Sequence, residues 1–470
     1  MAFENNLKNI SIIGMGHVGT CLAALAASRG VQVVGMETDP EKVSMLKNGL
    51  APVYESGLDE LLKLHQQSIR ITWSYRQLVK SSKLTIITVP AWDEDNEQPS
   101  LIPLIRIIEN LAEELRNLDG FHSIVLTGTM VPGSISNVLV SILQNMSWKV
   151  NGDAVGLCYL PMFTERGRTL LQLEKTTHYI VGSPGGYINR QMELFLTSIC
   201  GTSPEIQWMD PTDAEIAKLS IDSWHTIQSG FSNMLGELCE RLPGADVHRI
   251  FKQLDGRGLM KNSPQTVSRL EGPYHMQSHT MMLAWAEQQR NPVPMLEAVE
   301  KMKLRQPLRL LDHLINVLPN RGHVAVLGFA YQPNTDCVDH TVGLAFIHWL
   351  LKQNFTVSVY DPAAMAQARQ YFGAKINYAT SLSACIDQAD AIVILTPWDE
   401  FRILPVDVLQ KKSKPPVIID CWRICNTSEI DQYVRIIHPG VGYFHNFDRP
   451  LNHFDYNLVD LLEISQLSNN

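Results

Sequence analysis

Three glycines, Gly14, Gly16 and Gly19, stand between a β-branched run (Ile10, Ile12, Ile13) and an Ala/Leu-rich stretch over 22–27. The G-x-G-x-x-G spacing, with Val18 inside it, asks a strand to turn into a helix more tightly than a side chain permits, and it leaves the helix N-terminus bare for an anionic group. A second apolar run over 31–34 reads as the next strand, and Glu37 ends it eighteen residues beyond Gly19. A carboxylate at that place accepts hydrogen bonds from a ribose 2′-hydroxyl and repels a 2′-phosphate, so the unit is expected to bind NAD rather than NADP. The bland reading of the glycines is a tight turn without a ligand. The strand before them, the helix after them and the acid beyond argue against it.

The alternation continues. Apolar runs over 84–89, 123–127 and 178–182 with helical stretches between them fit a parallel sheet covered on both faces. Asp210, Pro211 and Asp213 then supply an N-cap, an N1 proline and a first-turn acid, and apolar residues recur at Ala214, Ala217, Ile221, Trp224, Ile227, Phe231, Leu235 and Leu238. The spacing predicts one long helix, stopped by Pro243 and Gly244. Further helical signals cover 249–254, 280–289 and 294–318, interrupted by a polar, proline-bearing stretch over 261–273. Beyond Pro319, Asn320 and Gly322 the strand pattern restarts at 323–327 and 356–360, with a helix over 343–352 between them and Asp361 at the second strand's end. TIITVPAWDE at 85–94 and AIVILTPWDE at 391–400 repeat each other. The expected fold is α/β, with two Rossmann-like doubly wound parallel-sheet domains (1–205 and 319–470) joined by a helical middle section (206–318) with one long helix.

Composition removes several classes of function. With 45% hydrophobic and 19% charged residues the chain has the makeup of a globular protein, and a formal charge of -9 without any basic run argues against a nucleic-acid surface. No stretch of about 18 uninterrupted apolar residues reads as a membrane span, and the segment MAFENNLKN lacks the basic-then-apolar order of a signal peptide. Eight cysteines lie far apart with no CxxC, and most fall in apolar runs. They are expected to be reduced, buried thiols in a cytoplasmic protein acting on a small molecule.

Taken together, IIGMGHVG with VVGMETDPEKV, NGLAPVYESGLDELL, GTMVPGS, AEIAKL, VAVLGFAYQPNTD and ILTPWDEF resemble, in order and over most of the chain, the UDP-glucose/GDP-mannose (nucleotide-sugar) dehydrogenases. The resemblance implies an NAD domain, a dimer-forming helical middle, a nucleotide-sugar domain and a four-electron oxidation of a sugar CH2OH to a carboxylate with two NAD. It implies a homodimer. Within it, Gly14, Gly16, Gly19 and Glu37 fall on the cofactor site, Val89 and Pro90 on the strand end that lines it, Thr129 on the threonine near the cofactor and a catalytic water, and Lys218 on the active-site lysine. Asp222 stands where the family has an asparagine, and Asn233 matches a second asparagine. Apart from the resemblance, Lys218 and Asp222 read equally well as a surface (i, i+4) ion pair.

The departures from the family pattern fall on its chemistry. LPMFTERG puts Met162 and Arg166 where the acid/base-bearing stretch carries glutamates, and the nucleophile loop is best matched by YHMQSHTMM, with Ser278 for the cysteine and Met281 and Met282 for a Lys-Asp pair. Gln332 and Asp339 replace a lysine and an arginine in the last domain. An aldehyde is oxidised by hydride transfer only after an adduct forms, which a thiolate makes readily and an unactivated serine does not. A two-electron alcohol/carbonyl step needs only the nicotinamide, a proton acceptor and a polarising group, roles open to Lys218, Thr129 and His275 or His279. Those histidines are spaced i, i+4, but no third ligand accompanies them, and no metal is expected. Met276, Met281, Met282 and Trp285 read as packing, and His438, His445 and His453 carry no usable spacing. Three readings stay open: a two-electron NAD-dependent oxidoreductase on an altered, nucleotide-linked substrate, a catalytically silent NAD-binding homologue with a structural or regulatory role, and the full family activity with substitute residues.

Overall fold

The computed structural model describes residues 7–183, 188–259, 273–319 and 321–443. Contacts divide the chain into two compact units, 1–222 with 277–292, and 223–276 with 293–470. The polar stretch over 261–272 and His445 and His453 lie outside the described residues.

In the first unit, strands β1 (Asn9–Ile13), β2 (Gln32–Met36), β3 (Ile69–Thr72), β4 (Leu84–Ile87), β7 (His122–Leu126), β8 (Val155–Tyr159), β9 (His178–Gly182) and β10 (Glu205–Met209) form one eight-stranded sheet, while β5 (Trp92–Asp93) and β6 (Gln98–Pro99) make a small ribbon. The order is β10-β9-β8-β7-β4-β1-β2-β3, so the chain reverses its winding beside β1, where a ligand crevice opens at the strand ends. β4, β7 and β8 are buried on both faces, which explains their predominantly apolar sequences, and among the polar side chains they carry Thr85 pairs with His122 at 2.9 Å. The expected strand over 84–89 stops at Ile87, which leaves Val89 and Pro90 in the crevice loop. β9 meets β8 antiparallel through Tyr159 and Gly182, so the edge pair β9–β10 departs from an all-parallel sheet. An apolar run carries no mark of its direction, and the sequence could not show this.

The long helix spans Pro211–Glu240, directly after Asp210, and the chain turns at Arg241–Gly244 as expected. The helix Pro273–Gln288 begins earlier than the 280–289 signal and takes in the whole YHMQSHTMM segment.

In the second unit, β11 (His323–Leu327), β12 (Thr356–Tyr360), β13 (Asn377–Tyr378), β14 (Ala391–Ile394), β15 (Val417–Asp420) and β16 (Arg435–Ile437) form a wholly parallel sheet ordered β13-β12-β11-β14-β15-β16. The end of the long helix is fixed by charge. Glu240, buried, takes Arg309 Nε at 3.0 Å and Nη2 at 2.5 Å, His313 at 3.0 Å and the Gly440 N–H at 2.6 Å. Burial opposes ionisation of that carboxyl, but Arg309 and His313 hold it well below the ordinary carboxylate range. Gly442 seals the same turn, because a Cβ there would lie 1.9 Å from the Leu242 carbonyl oxygen.

All eight cysteines are free, seven of them buried and Cys425 half-buried. Among the described residues no helix is long and apolar enough to cross a membrane.

Candidate active site

The cofactor turn is shaped by what its glycines face. Gly14 has φ +91°, and a Cβ on Gly19 would lie 1.9 Å from the Gly14 carbonyl oxygen, so helix and strand touch there. A Cβ on Gly16 would meet nothing within 4 Å. That open face at the start of the helix His17–Ser28 is the cradle a pyrophosphate needs. Val18, beside it, packs half-buried on the core. Glu37 lies at the end of β2, buried, and already works on the backbone. Its carboxylate accepts Met15 N–H at 3.1 Å, Thr38 N–H at 2.7 Å and Asp39 N–H at 3.0 Å, which leaves lone pairs for a ribose hydroxyl. These residues fit NAD.

Thr129 lies half-buried in the loop after β7. Gly128 carries that loop close to Val89 and Pro90, since a Cβ there would lie 3.1 Å from the Val89 carbonyl oxygen. A cavity of about 370 Å³ opens beside the same segment, lined by Ala91, Pro99, Val131, Gly133, Asn137 and Gln288 among others.

Lys218 and Asp222 do form an (i, i+4) pair at 2.8 Å, but the surface reading is overturned: their side chains are 5% and 4% exposed. Lys218 Nζ also donates to the Met162 carbonyl at 2.8 Å and lies 4.6 Å from the Phe163 ring centre. Ser278 Oγ, fully buried on the helix Pro273–Gln288, donates to Asp222 Oδ2 at 2.5 Å. The structure thus joins Lys218, Asp222 and Ser278, residues 60 apart in the chain at the extremes, into one hydrogen-bonded row. Met281 is buried in the core of the sheet face and Met282 packs on it, as the packing reading expected.

The other candidates take the following places. Arg166 is half-buried in the loop that follows β8. Asn233 is buried on the part of the long helix that belongs to the second unit, and Gln332 is buried in the segment after β11 of the same unit. Asp339 accepts the Tyr371 hydroxyl at 3.1 Å. His275 packs edge-on to His225 with ring centres 5.8 Å apart, and His279 is buried. Among the described residues neither His275 nor His279 belongs to a cluster of three metal-binding side chains.

Sequence reading missed Glu215. It lies three residues before Lys218, so it shares that face of the helix, and it is fully buried. Its carboxylate accepts Gly133 N–H at 2.6 Å and Ile135 N–H at 2.9 Å, which ties the Thr129 loop to the Lys218 helix. Burial pushes its carboxyl up to about 7 against the pull of those two amides. The AEIAKL motif holds the residue, but nothing in it shows that two amides 80 residues upstream lack a partner. Tyr159 was also missed. It is fully buried at the end of β8, and burial followed by the charges of Glu215 and Asp222 keeps its phenol protonated.

Residues 8–195 match the NAD-binding domain of the UDP-glucose/GDP-mannose dehydrogenase family, and residues 325–427 match its UDP-binding domain. The chain belongs to the UDP-glucose/GDP-mannose dehydrogenase family. It is 26% identical over 458 residues to UDP-glucose 6-dehydrogenase TuaD of Bacillus subtilis, covering 94% of each chain. It is 27% identical over 435 residues to UDP-glucose 6-dehydrogenase AglM of Haloferax volcanii, covering 91% of this chain and all of that one. Its fold matches a UDP-glucose dehydrogenase from Pyrobaculum islandicum with a TM-score of 0.80 at 24% identity, over 94% of this chain and 99% of that one. NAD is the cofactor of this member of the family, and NAD-dependent oxidation is its chemistry, as the enzyme reading leaned. When bound, NAD accepts the hydride.

Two outcomes follow for this family member's turn and clamp. Gly19→Ala is expected to lower the melting temperature and abolish NAD binding, because the added methyl collides with backbone. Gly16→Ala is expected to keep the melting temperature and weaken NAD binding at least tenfold, and equal behaviour of the two variants in calorimetry and NAD titration would contradict the open-cradle geometry. Glu215 has a folded pKa of about 7 against 4.5 for a free glutamate, so the native state keeps its proton longer than the unfolded chain. Its protonated form favours folding, and this contribution, up to about 3 kcal/mol at ~1.4 kcal/mol per pH unit, is lost as pH rises from about 4.5 to 7. Glu215→Gln is therefore expected to flatten the decline in stability between pH 5 and 8, and parallel declines in urea midpoint would refute the assignment.

Proposed function

We propose that this chain oxidises the CH–OH of a nucleotide-linked sugar to a carbonyl and stops there, passing one hydride to NAD. The single observation that carries the reading is the Ser278 hydroxyl held by Asp222 next to Lys218. A hydroxyl stands at the end of that row where a four-electron oxidation asks for a thiolate. Burial pushes the thiols of Cys21, Cys158 and Cys200 in the same unit up, away from the thiolate form. The relatives named UDP-glucose 6-dehydrogenase and the match to a UDP-binding domain support a nucleotide-linked substrate.

In this reading Lys218 uses two of its three N–H donors on Met162 and Asp222 and offers the third to the substrate oxygen. Its positive charge favours the alkoxide that forms as the hydroxyl proton leaves. Asp222 takes that proton through its hydrogen-bonded row, and Ser278 holds the carboxylate in place. Thr129 contacts the cofactor side. Asn233 belongs to the substrate side of the long helix, by the family match alone.

We also propose a homodimer built on the long helix. Trp224, Phe231, Met234 and Leu238 are 55%, 43%, 38% and 58% exposed, and their spacing of seven, three and four residues puts them in one apolar stripe. A stripe of that size on one helix asks for a partner, and a second copy supplies the matching stripe.

The stoichiometry at completion tests the chemistry. One NADH per UDP- or GDP-sugar is expected, Lys218→Ala is expected to lower kcat by about 10²–10³, and Ser278→Cys is expected to raise the yield toward two. Two NADH from the wild type, or none with NAD binding retained, would overturn the proposal, the latter in favour of the silent homologue. Light scattering tests the dimer: the wild type is expected at twice the mass of one chain and Trp224→Glu/Leu238→Glu at the mass of one, and a monomeric wild type sinks the idea.

A further inference from the structure

The helix that starts at the cofactor turn carries a second group of chemically unlike side chains. His17 and Cys21 stand one turn apart on the helix His17–Ser28 and so share a face. Glu55, from the loop before the helix Leu58–His65, reaches that face with Oε2 at 2.7 Å from His17 Nε2. The His17 nitrogen, the Cys21 sulfur and a Glu55 oxygen all lie within 4.8 Å of one another, the one such set of three among the described residues. The site is closed in: the side chains of His17 and Glu55 are 8% and 1% exposed, and Cys21 is fully buried.

A hydrogen bond between His17 and Glu55 accounts for two members of the group, and Cys21, which also packs in the core, brings a sulfur to the same point. Two backbone amides fix the carboxylate, Gly167 N–H at 2.8 Å and Leu170 N–H at 3.3 Å. Carboxylates that ligate metals are themselves hydrogen-bonded, and these amides aim Glu55 in the same direction whether a proton or a cation lies between it and His17. One imidazole nitrogen, one sulfur and one carboxylate oxygen make a set of intermediate softness suited to Zn²⁺, with the fourth tetrahedral position left to water. Bond lengths of ~2.0–2.3 Å bring such ligand atoms within about 4 Å of each other, so the group closes on a cation with shifts of about an ångström.

We propose that His17, Cys21 and Glu55 form a three-ligand Zn²⁺ site on the first turn of the cofactor helix. On binding, the Zn–S bond forms as the Cys21 S–H bond breaks and its proton leaves to solvent. His17 binds as the neutral ring through Nε2 with its proton on Nδ1, Glu55 binds through Oε2, and no electron moves. His17 follows Gly16 directly, which ties occupancy to the turn that receives the pyrophosphate.

Co²⁺ is the probe, because it takes the same ligands and reports a thiolate by a charge-transfer band in the near ultraviolet. Full-length protein without a histidine tag, stripped of metal by chelation, is expected to develop that band at one equivalent of Co²⁺ per chain and to lose it when Zn²⁺ is added. Cys21→Ser and His17→Gln, each checked for folding by circular dichroism and melting, are expected to lack the band, with Cys21→Ala used if the serine variant unfolds. Absence of the band from the wild type overturns the proposal. Persistence in any folded variant does so as well, because another of the chain's thiols would then hold the metal.

Discussion

An ammonium with 4% exposure is tolerated only when its charge is answered on the spot, and Lys218 meets that requirement with the carboxylate one helical turn onward. Because the partner lies on the same helix, the pair forms wherever the helix forms. The rest of the site comes to it: the Met162 carbonyl from the loop after β8, Ser278 from a helix sixty residues on from Lys218, and the Phe163 ring. Removing Asp222 would strand both the ammonium and the serine proton. The arrangement is therefore a single electrostatic unit, and its members are not independently replaceable.

The two sheets solve the same local problem with the same parts. In the first, Glu37 at the end of β2 accepts the Met15 amide and Thr88 donates to the Gly14 carbonyl at 2.5 Å. In the second, Asp361 at the end of β12 accepts the Phe329 and Ala330 amides, and Thr396 donates to the Ala330 carbonyl at 2.6 Å. Each turn is also crossed by a helix glycine, Gly19 or Gly343, on which a Cβ would collide with the turn. They part at one position of the turn, where Gly16 faces open space and its counterpart region holds the buried methyl of Ala330. The first turn thus leaves its backbone open at Gly16.

Local sequence carried much of this. The glycine turn, both βαβ openings, the N-cap at Asp210 and the stop at Pro243 are readable because each is enforced by residues within a few positions of each other. The direction of β9 was not readable, since its apolar run fits either. The burial of Lys218 and Asp222 was also undecided, because an (i, i+4) pair looks the same on a wet face and a dry one. Glu215 and Glu55 stayed hidden for a related reason: their partners are backbone amides 80 and 112 residues away, and an amide has no letter in the sequence.

Those two carboxylates hold the segments around Lys218 through their main chains. Glu215 holds the Gly133 and Ile135 amides where the loop after β7 runs into the helical segment Ser134–Leu139, and Glu55 holds the Gly167 and Leu170 amides where the loop after β8 enters the helix Thr169–Lys175. The loop backbones are positioned by main-chain groups that every residue but proline possesses. Lys218 takes a carbonyl, not a side chain, from Met162, so the contact does not depend on which side chain stands there. A site framed in this way keeps its loop backbones in place through main-chain contacts, while the Lys218–Asp222–Ser278 row holds together as one unit.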